Sequence, residues 1–298
     1  MRSRELENQQ KISGIDFASL PEKTLAEDGR LSLKELYQRF NQLLEAGWPG
    51  QEISFQEISV AGEKVRVPIF AFFSPACQMN ETLEAVLISG IHGTEPAGPN
   101  AITQYLETLI EIGSQESLLL MPLCNPYGYY QDERMSPNGE SVGDSEHLVP
   151  RRKILSLLCL LFRWKKPACR EAGEITAFLM GLKRRIDSET KVLDLHEDNF
   201  GEDRRSHADS VGTYLYVNGK EAEKNPLALK TVQMLQNNLH PIITEGKTRF
   251  KEKIVNGFVI NSRDGSVDQL FFEKLGLGQI RQHNLRCAFR AAVSCGLI

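Results

Sequence analysis

Apolar residues recur at Leu33, Leu36, Tyr37, Phe40, Leu43 and Leu44, behind Ser32 and ahead of Gly47. That three-and-four spacing predicts a helix, with Ser32 as its N-cap and Gly47 as its stop. Two strands are predicted next, at residues 53–60 and 64–73, joined by a turn at Ala61-Gly62-Glu63. Residues 83–89 read as a buried strand, 96–112 as a helix and 118–123 as a strand. Strand, helix, strand in so short a span is a βαβ unit. An irregular stretch follows at 125–150. A helix is predicted at 171–185 and strands at 191–195, 213–217, 242–244 and 253–261. Asn256-Gly257 within the last of these fits either a bulge or a hairpin. A final helix is predicted at 282–293. This alternation predicts one α/β domain over residues 31–298, with a mixed, mostly parallel central sheet. The polar residues 1–30 are expected to form a flexible N-terminal segment.

The composition changes this picture little. The chain has 298 residues, 41% hydrophobic and 25% charged, which is an ordinary globular balance. Its net charge of −4 argues against a nucleic-acid partner. Residues 154–161, ILSLLCLL, are too few to span a bilayer and are flanked by basic residues. They read as a buried or partner-facing helix, or as one lying on a membrane surface. The N-terminus lacks the apolar core of a secretory signal. The six cysteines form no CxxC pair. A cytoplasmic protein with reduced thiols is therefore expected.

Chemistry gathers at two strand ends, the usual place for ligands in α/β sheets. Gly90-Ile91-His92-Gly93-Thr94-Glu95-Pro96-Ala97-Gly98 follows the strand at 83–89. Asp194-Leu195-His196-Glu197-Asp198 closes the strand at 191–195. His92 and Glu95, three apart on a tight turn, can converge on one ion, and His196 can supply a third ligand. Two imidazoles and a carboxylate suit one Zn²⁺ per chain, with a fourth position left for water as in catalytic zinc sites. His207, His240 and His283 have no partner at metal spacing. Tyr214 and Tyr216 alternate along a strand and fit core packing better than a site.

These residues resemble the M14 metallocarboxypeptidase superfamily, which includes the succinylglutamate desuccinylase and aspartoacylase branch. GIHGTEPAG resembles its zinc motif. Asn125-Pro126-Tyr127-Gly128 is similar to its Asn-Pro-x-Gly turn, and Leu193-Asp194-Leu195-His196 to the strand with its third ligand. The resemblance spans about residues 83–200 and implies a three-layer α/β/α sandwich. It implies His92, Glu95 and His196 as zinc ligands and Arg134 as the group that polarises the scissile carbonyl and contacts substrate. It also implies Asp144 as the carboxylate behind a zinc-ligating histidine. Where peptidases of the family carry Asn-Arg to hold a terminal carboxylate, this chain has Glu146-His147. His147 is thus either a substrate-binding group or a loop residue, and ordinary C-terminal specificity is not implied.

The family's general base is a glutamate on a late strand. Between Gly276 and Gln282 the sequence offers no carboxylate and no strand of useful length. Glu273 is the nearest acidic residue, and its pattern also fits a solvated helix face. Two functions therefore stand. One is zinc-dependent hydrolysis of an amide bond in a peptide C-terminus or an N-acyl amino acid. The other is a catalytically silent zinc- or ligand-binding homologue. The expected partner is a small-molecule or peptide substrate; the sequence leaves the oligomeric state open.

Overall fold

The computed structural model describes residues 17–26, 28–137, 169–187, 189–196, 214–218, 222–237, 242–247, 252–261 and 279–283. Helix α1 (Leu33–Glu45) begins where the spacing places it. Its Ser32 cap is reciprocal: Glu35 N donates to Ser32 Oγ at 3.1 Å, and Ser32 N donates to the Glu35 carboxylate at 2.9 Å. Strands β1 (Gly50–Val60) and β2 (Glu63–Phe73) form a long antiparallel hairpin. Next come β3 (Ala85–Ser89), helices α2 (Ala97–Gln104) and α3 (Leu106–Gly113), β4 (Leu118–Met121) and α4 (Pro126–Gln131). Helix α5 (Arg170–Gly181), β5 (Lys191–Leu195), β6 (Tyr214–Asn218) and helix α6 (Pro226–Asn237) follow. The described chain ends with β7 (Glu245–Lys247), β8 (Lys253–Val255), β9 (Phe258–Ile260) and β10 (Gln279–His283).

The strands form a ten-stranded sheet in the order β1-β2-β4-β3-β5-β10-β6-β9-β8-β7. β4, β3, β5 and β10 run parallel to their neighbours in that central block. The β6–β9 pair is also parallel, while β1–β2, β2–β4, β6–β10, β8–β9 and β7–β8 are antiparallel. The sheet is thus mixed as expected, with its parallel character concentrated in the middle.

Period-two alternation sorts the strand residues onto two faces. Phe70, Phe72, Ala85, Leu87, Leu118, Leu120 and Leu195 pack with apolar residues of α1, α2 and α3. Leu215 and Val217 pack with Ala228 of α6. Ala71, Val86, Ile88, Leu119, Met121 and Val192 face the other way, against Ile175 and Leu179 of α5. Helices on both faces give the three-layer α/β/α architecture.

Several expectations are corrected. The helix predicted at 96–112 is two helices, broken at Tyr105, whose φ of −107° and ψ of 23° leave the helical region. The stretch from residue 125, expected to be irregular, opens with α4. Helix α6 was not anticipated, although Asn225 accepts from Ala228 N at 3.1 Å ahead of Pro226, an ordinary helix start. The strand expected at 242–244 is instead β7, and Asn256-Gly257 is the turn of the β8–β9 hairpin. The final helix cannot begin at Gln282, because residues 279–283 are a strand held between β5 and β6. Nor is the N-terminal segment loose throughout. Leu20 is buried in the main core, Leu25 N donates to Tyr130 O at 2.9 Å, and Arg30 is buried. The run at 154–161 lies outside the described residues. Among those residues no helix is long and apolar enough to cross a membrane, and Cys77, Cys124 and Cys169 are free thiols.

Phe40 lies in the α1–sheet interface, its ring centroid 6.3 Å from that of Phe72. Phe40→Ala is expected to destabilise the fold by ~3–5 kcal/mol. Ser32→Ala, which removes only the cap, is expected to cost ~1 kcal/mol. Urea unfolding of both variants checks the magnitudes and their order.

Candidate metal centre

β3 ends at Ser89, and the chain leaves it through Gly90, whose φ of +64° lies in the left-handed region. A Cβ there would also meet the Leu123 side chain at 2.8 Å. The next residues form a tight turn, closed by Glu95 N donating to His92 O at 3.2 Å. β5 pairs with β3 so that Ser89 stands opposite Leu195. His196, the next residue, therefore emerges beside this turn.

The three side chains meet. Glu95 Oε1 lies 2.8 Å from His92 Nδ1, and Glu95 Oε2 lies 2.9 Å from His196 Nδ1. The two Nδ1 atoms are 3.2 Å apart, and the rings are inclined at 57°. His92, Glu95 and His196 are 1%, 4% and 2% exposed. They form a set of potential metal donors whose ligating atoms all lie within 4.8 Å of one another. Two imidazole nitrogens and a carboxylate, converging from one turn and the end of the neighbouring strand, are a donor set that fits zinc.

A further carboxylate stands behind His196. Asp194 is 1% exposed, and its Oδ2 lies 3.0 Å from His196 Nε2. When Nε2–H donates to Asp194, the neutral ring turns its Nδ1 lone pair toward the other donors. Sequence reading had given such a role to Asp144 alone. The signal was present: residues two apart on a strand share a face.

Charge in the cluster is balanced at close range. Burial opposes ionisation of Glu95, yet His92 and His196 outweigh it and hold its carboxyl well below the usual range. Burial likewise opposes a charged His196, but the Asp194 and Glu95 carboxylates raise its pKa well above the ordinary value. The two carboxylates thus favour the protonated form of the His196 ring.

Arg134 reaches the same cluster. Its Nη1 donates to Glu95 Oε1 at 2.8 Å, and its side chain is 24% exposed. The Asn125-Pro126-Tyr127-Gly128 motif sets the loop that carries it. Asn125 caps α4 by accepting from Gly128 N at 3.0 Å, and its Nδ2 donates to the carbonyls of Arg134 and Met135 at 3.3 and 3.2 Å. α4 also abuts the His92–Glu95 turn: a Cβ on Gly93 would lie 1.9 Å from the Gly128 carbonyl carbon.

Asp144, His147 and Glu273 lie outside the described residues. Tyr214 and Tyr216 are core residues, their ring centroids 5.7 Å apart, and Tyr216 donates to Glu252 at 2.8 Å. β10 carries no carboxylate; its Gln282 stands opposite Leu195, one residue before His196.

No protein-family model matches the chain, and no curated protein does. Solved structures do. One is a Shewanella amazonensis protein provisionally classed among the metallopeptidases, with TM-score 0.66 and 17% identity, over 92% of this chain and 97% of that one. A metallo-carboxypeptidase from Burkholderia cenocepacia matches with TM-score 0.52 and 11% identity, over 90% and 70% of the two chains. Carboxypeptidase A from Helicoverpa armigera matches with TM-score 0.52 and 12% identity, over 99% and 80%. The chain has the metallocarboxypeptidase fold, in keeping with the resemblance in its sequence.

Two outcomes are expected here. Because the Asp194 and Glu95 carboxylates favour a protonated His196, metal binding should release protons. Affinity should then fall as pH drops and strengthen as pH rises toward the His196 pKa. Calorimetry in two buffers of different ionisation enthalpy measures this. Gly93→Ala drives a Cβ into the backbone of α4 and is expected to destabilise the protein by ~3 kcal/mol, the upper end for overpacking. Thermal melting of that variant checks it.

Proposed function

We propose that this protein is a zinc-dependent hydrolase that cleaves an amide bond, in a peptide C-terminus or an N-acyl amino acid. The observation that carries the proposal is the buried convergence of His92, Glu95 and His196 at the ends of two adjacent parallel strands. These residues would hold one zinc ion per chain. Zinc held there supplies Lewis acidity, which acidifies water and polarises a carbonyl oxygen.

The chain's own residues then divide the remaining work. Asp194 fixes the orientation of His196. Arg134, partly exposed and already at the cluster, is placed to donate to the oxygen of a scissile carbonyl as negative charge develops on it. A well-placed donor of this kind is worth ~3–4 kcal/mol. Asp144 is assigned by resemblance alone to the histidine it would orient; His147 stands as either a substrate-binding group or a loop residue, and Glu273 is only the acidic residue nearest to where the family carries its base, which stays unassigned. The free thiols at Cys77, Cys124 and Cys169 fit a reducing compartment.

One observation favours a second reading, a zinc-binding homologue without turnover. The strand beside β5 reads Gln279-Ile280-Arg281-Gln282-His283 and offers no carboxylate to act as base. Measurement separates the two. The hydrolase should carry about one zinc per chain, lose turnover on acyl amino acids and peptides to a chelator, and regain it with Zn²⁺. His92→Ala and His196→Ala should each abolish both metal and turnover. Activity persisting in His196→Ala would sink the hydrolase reading. Full zinc loading with no turnover on a broad substrate panel would establish the silent one.

A further inference from the structure

We propose that Arg30 is a positioning residue for the metal centre: its guanidinium fixes the Gly93 carbonyl, between ligands His92 and Glu95, and so sets metal affinity from a segment that supplies no ligand. The proposal rests on the metal reading above and adds a determinant outside the ligand motif.

The side chain of Arg30 is 1% exposed and uses its whole donor fork. Nη1 donates to Gly93 O at 2.9 Å and to Tyr129 O at 2.6 Å. Nη2 donates to Asp28 Oδ2 at 2.6 Å and to Asp132 Oδ1 at 2.5 Å. Nε donates to the Asp28 oxygens at 2.9 and 3.0 Å. The guanidinium also lies 5.1 Å from the centroid of the Tyr129 ring. A buried cation is tolerated because two carboxylates, 36% and 46% exposed, pair with it from the solvent side. Its inner nitrogen is left for the two peptide carbonyls.

Those two carbonyls belong to the elements that build the site. Gly93 lies inside the ligand turn, and Tyr129 lies on α4, whose N-terminal Asn125 shapes the Arg134 loop. Position 93 must be glycine, because a side chain would enter the α4 backbone. Glycine restrains the peptide poorly by itself, and Arg30 supplies the missing restraint from outside. Only a planar fork can serve two carbonyls and two carboxylates together; a lysine ammonium has three donors on a flexible stem.

The test is zinc affinity of the full chain, by competition with a chromophoric chelator, in wild type, Arg30→Met, Arg30→Lys and Leu20→Ala. Leu20→Ala loosens the same segment without touching Gly93, so it reports the effect of stability alone. Arg30→Met is expected to weaken zinc ~10–100-fold, the range for partners of metal ligands. Arg30→Lys should recover part of that loss. Leu20→Ala should melt lower yet bind zinc as wild type does. Wild-type affinity in Arg30→Met would overturn the proposal. So would a loss of affinity in Leu20→Ala that matches Arg30→Met at equal loss of melting temperature. If Arg30→Met does not fold, Arg30→Lys against Leu20→Ala decides: wild-type affinity in the lysine variant then refutes the role. A wild type that takes up no zinc removes the metal centre itself, a failure distinct from these.

Discussion

The parallel pairing of β3 with β5 is the constraint from which the site follows. Ser89 stands opposite Leu195, so the two chains leave the sheet at the same level and side by side. One turns at Gly90 into the His92–Glu95 turn, and the other presents His196 at once. Register in a buried strand pair is held by the apolar faces, because a shift of one residue would turn every side chain to the wrong layer. Val86, Ile88 and Val192 must stay against α5, and Leu87 and Leu195 against α2. The core thus fixes how far apart the chain segments carrying His92 and His196 stand.

That placement carries an electrostatic penalty which the site resolves internally. Glu95 and Asp194 are both buried carboxylates, and an isolated buried charge would be expelled or neutralised. Here His196 lies between them, with Nδ1 on Glu95 and Nε2 on Asp194. Arg134 supplies a second cation on Glu95 from the partly open side. Both carboxylates favour a proton on His196, which would balance the cluster. In the proposed zinc-bound form, a divalent ion would take over that role. The contacts that make the buried charges tolerable are the same ones that gather the three candidate donors.

How far this was visible in the sequence depended on how local each signal was. The α1 spacing, the β1–β2 hairpin and β5 are read from neighbours two to four residues apart, and they stand where expected. The His-x-x-Glu turn and the later histidine were legible because strand ends are where α/β proteins gather polar side chains. The break at Tyr105 was not legible, since no glycine or proline marks it. β10 was hidden because its five residues, Gln279-Ile280-Arg281-Gln282-His283, have one apolar side chain among them. Pairing on both sides makes it a strand, not its own pattern. Arg30 was unreadable for the same kind of reason: its partners Gly93 and Tyr129 lie 63 and 99 residues away and contribute only backbone carbonyls.

α4 ties these observations together, although it is only six residues long. Its N-terminal Asn125 holds the carbonyls of Arg134 and Met135. Its Gly128 lies against Gly93 of the His92–Glu95 turn, and its Tyr129 carbonyl shares Arg30 Nη1 with Gly93. So short a helix has little stability of its own. It keeps its shape through Pro126 at its start, the left-handed Asp132 at its end and the packing of Tyr129 and Tyr130 into the main core. The Asn-Pro-Tyr-Gly motif is therefore less a site than a bracket. It sets where a guanidinium stands relative to the His92–Glu95 turn, to which neither Asn125 nor Tyr129 contributes a candidate donor. A substitution there would act on both groups at once.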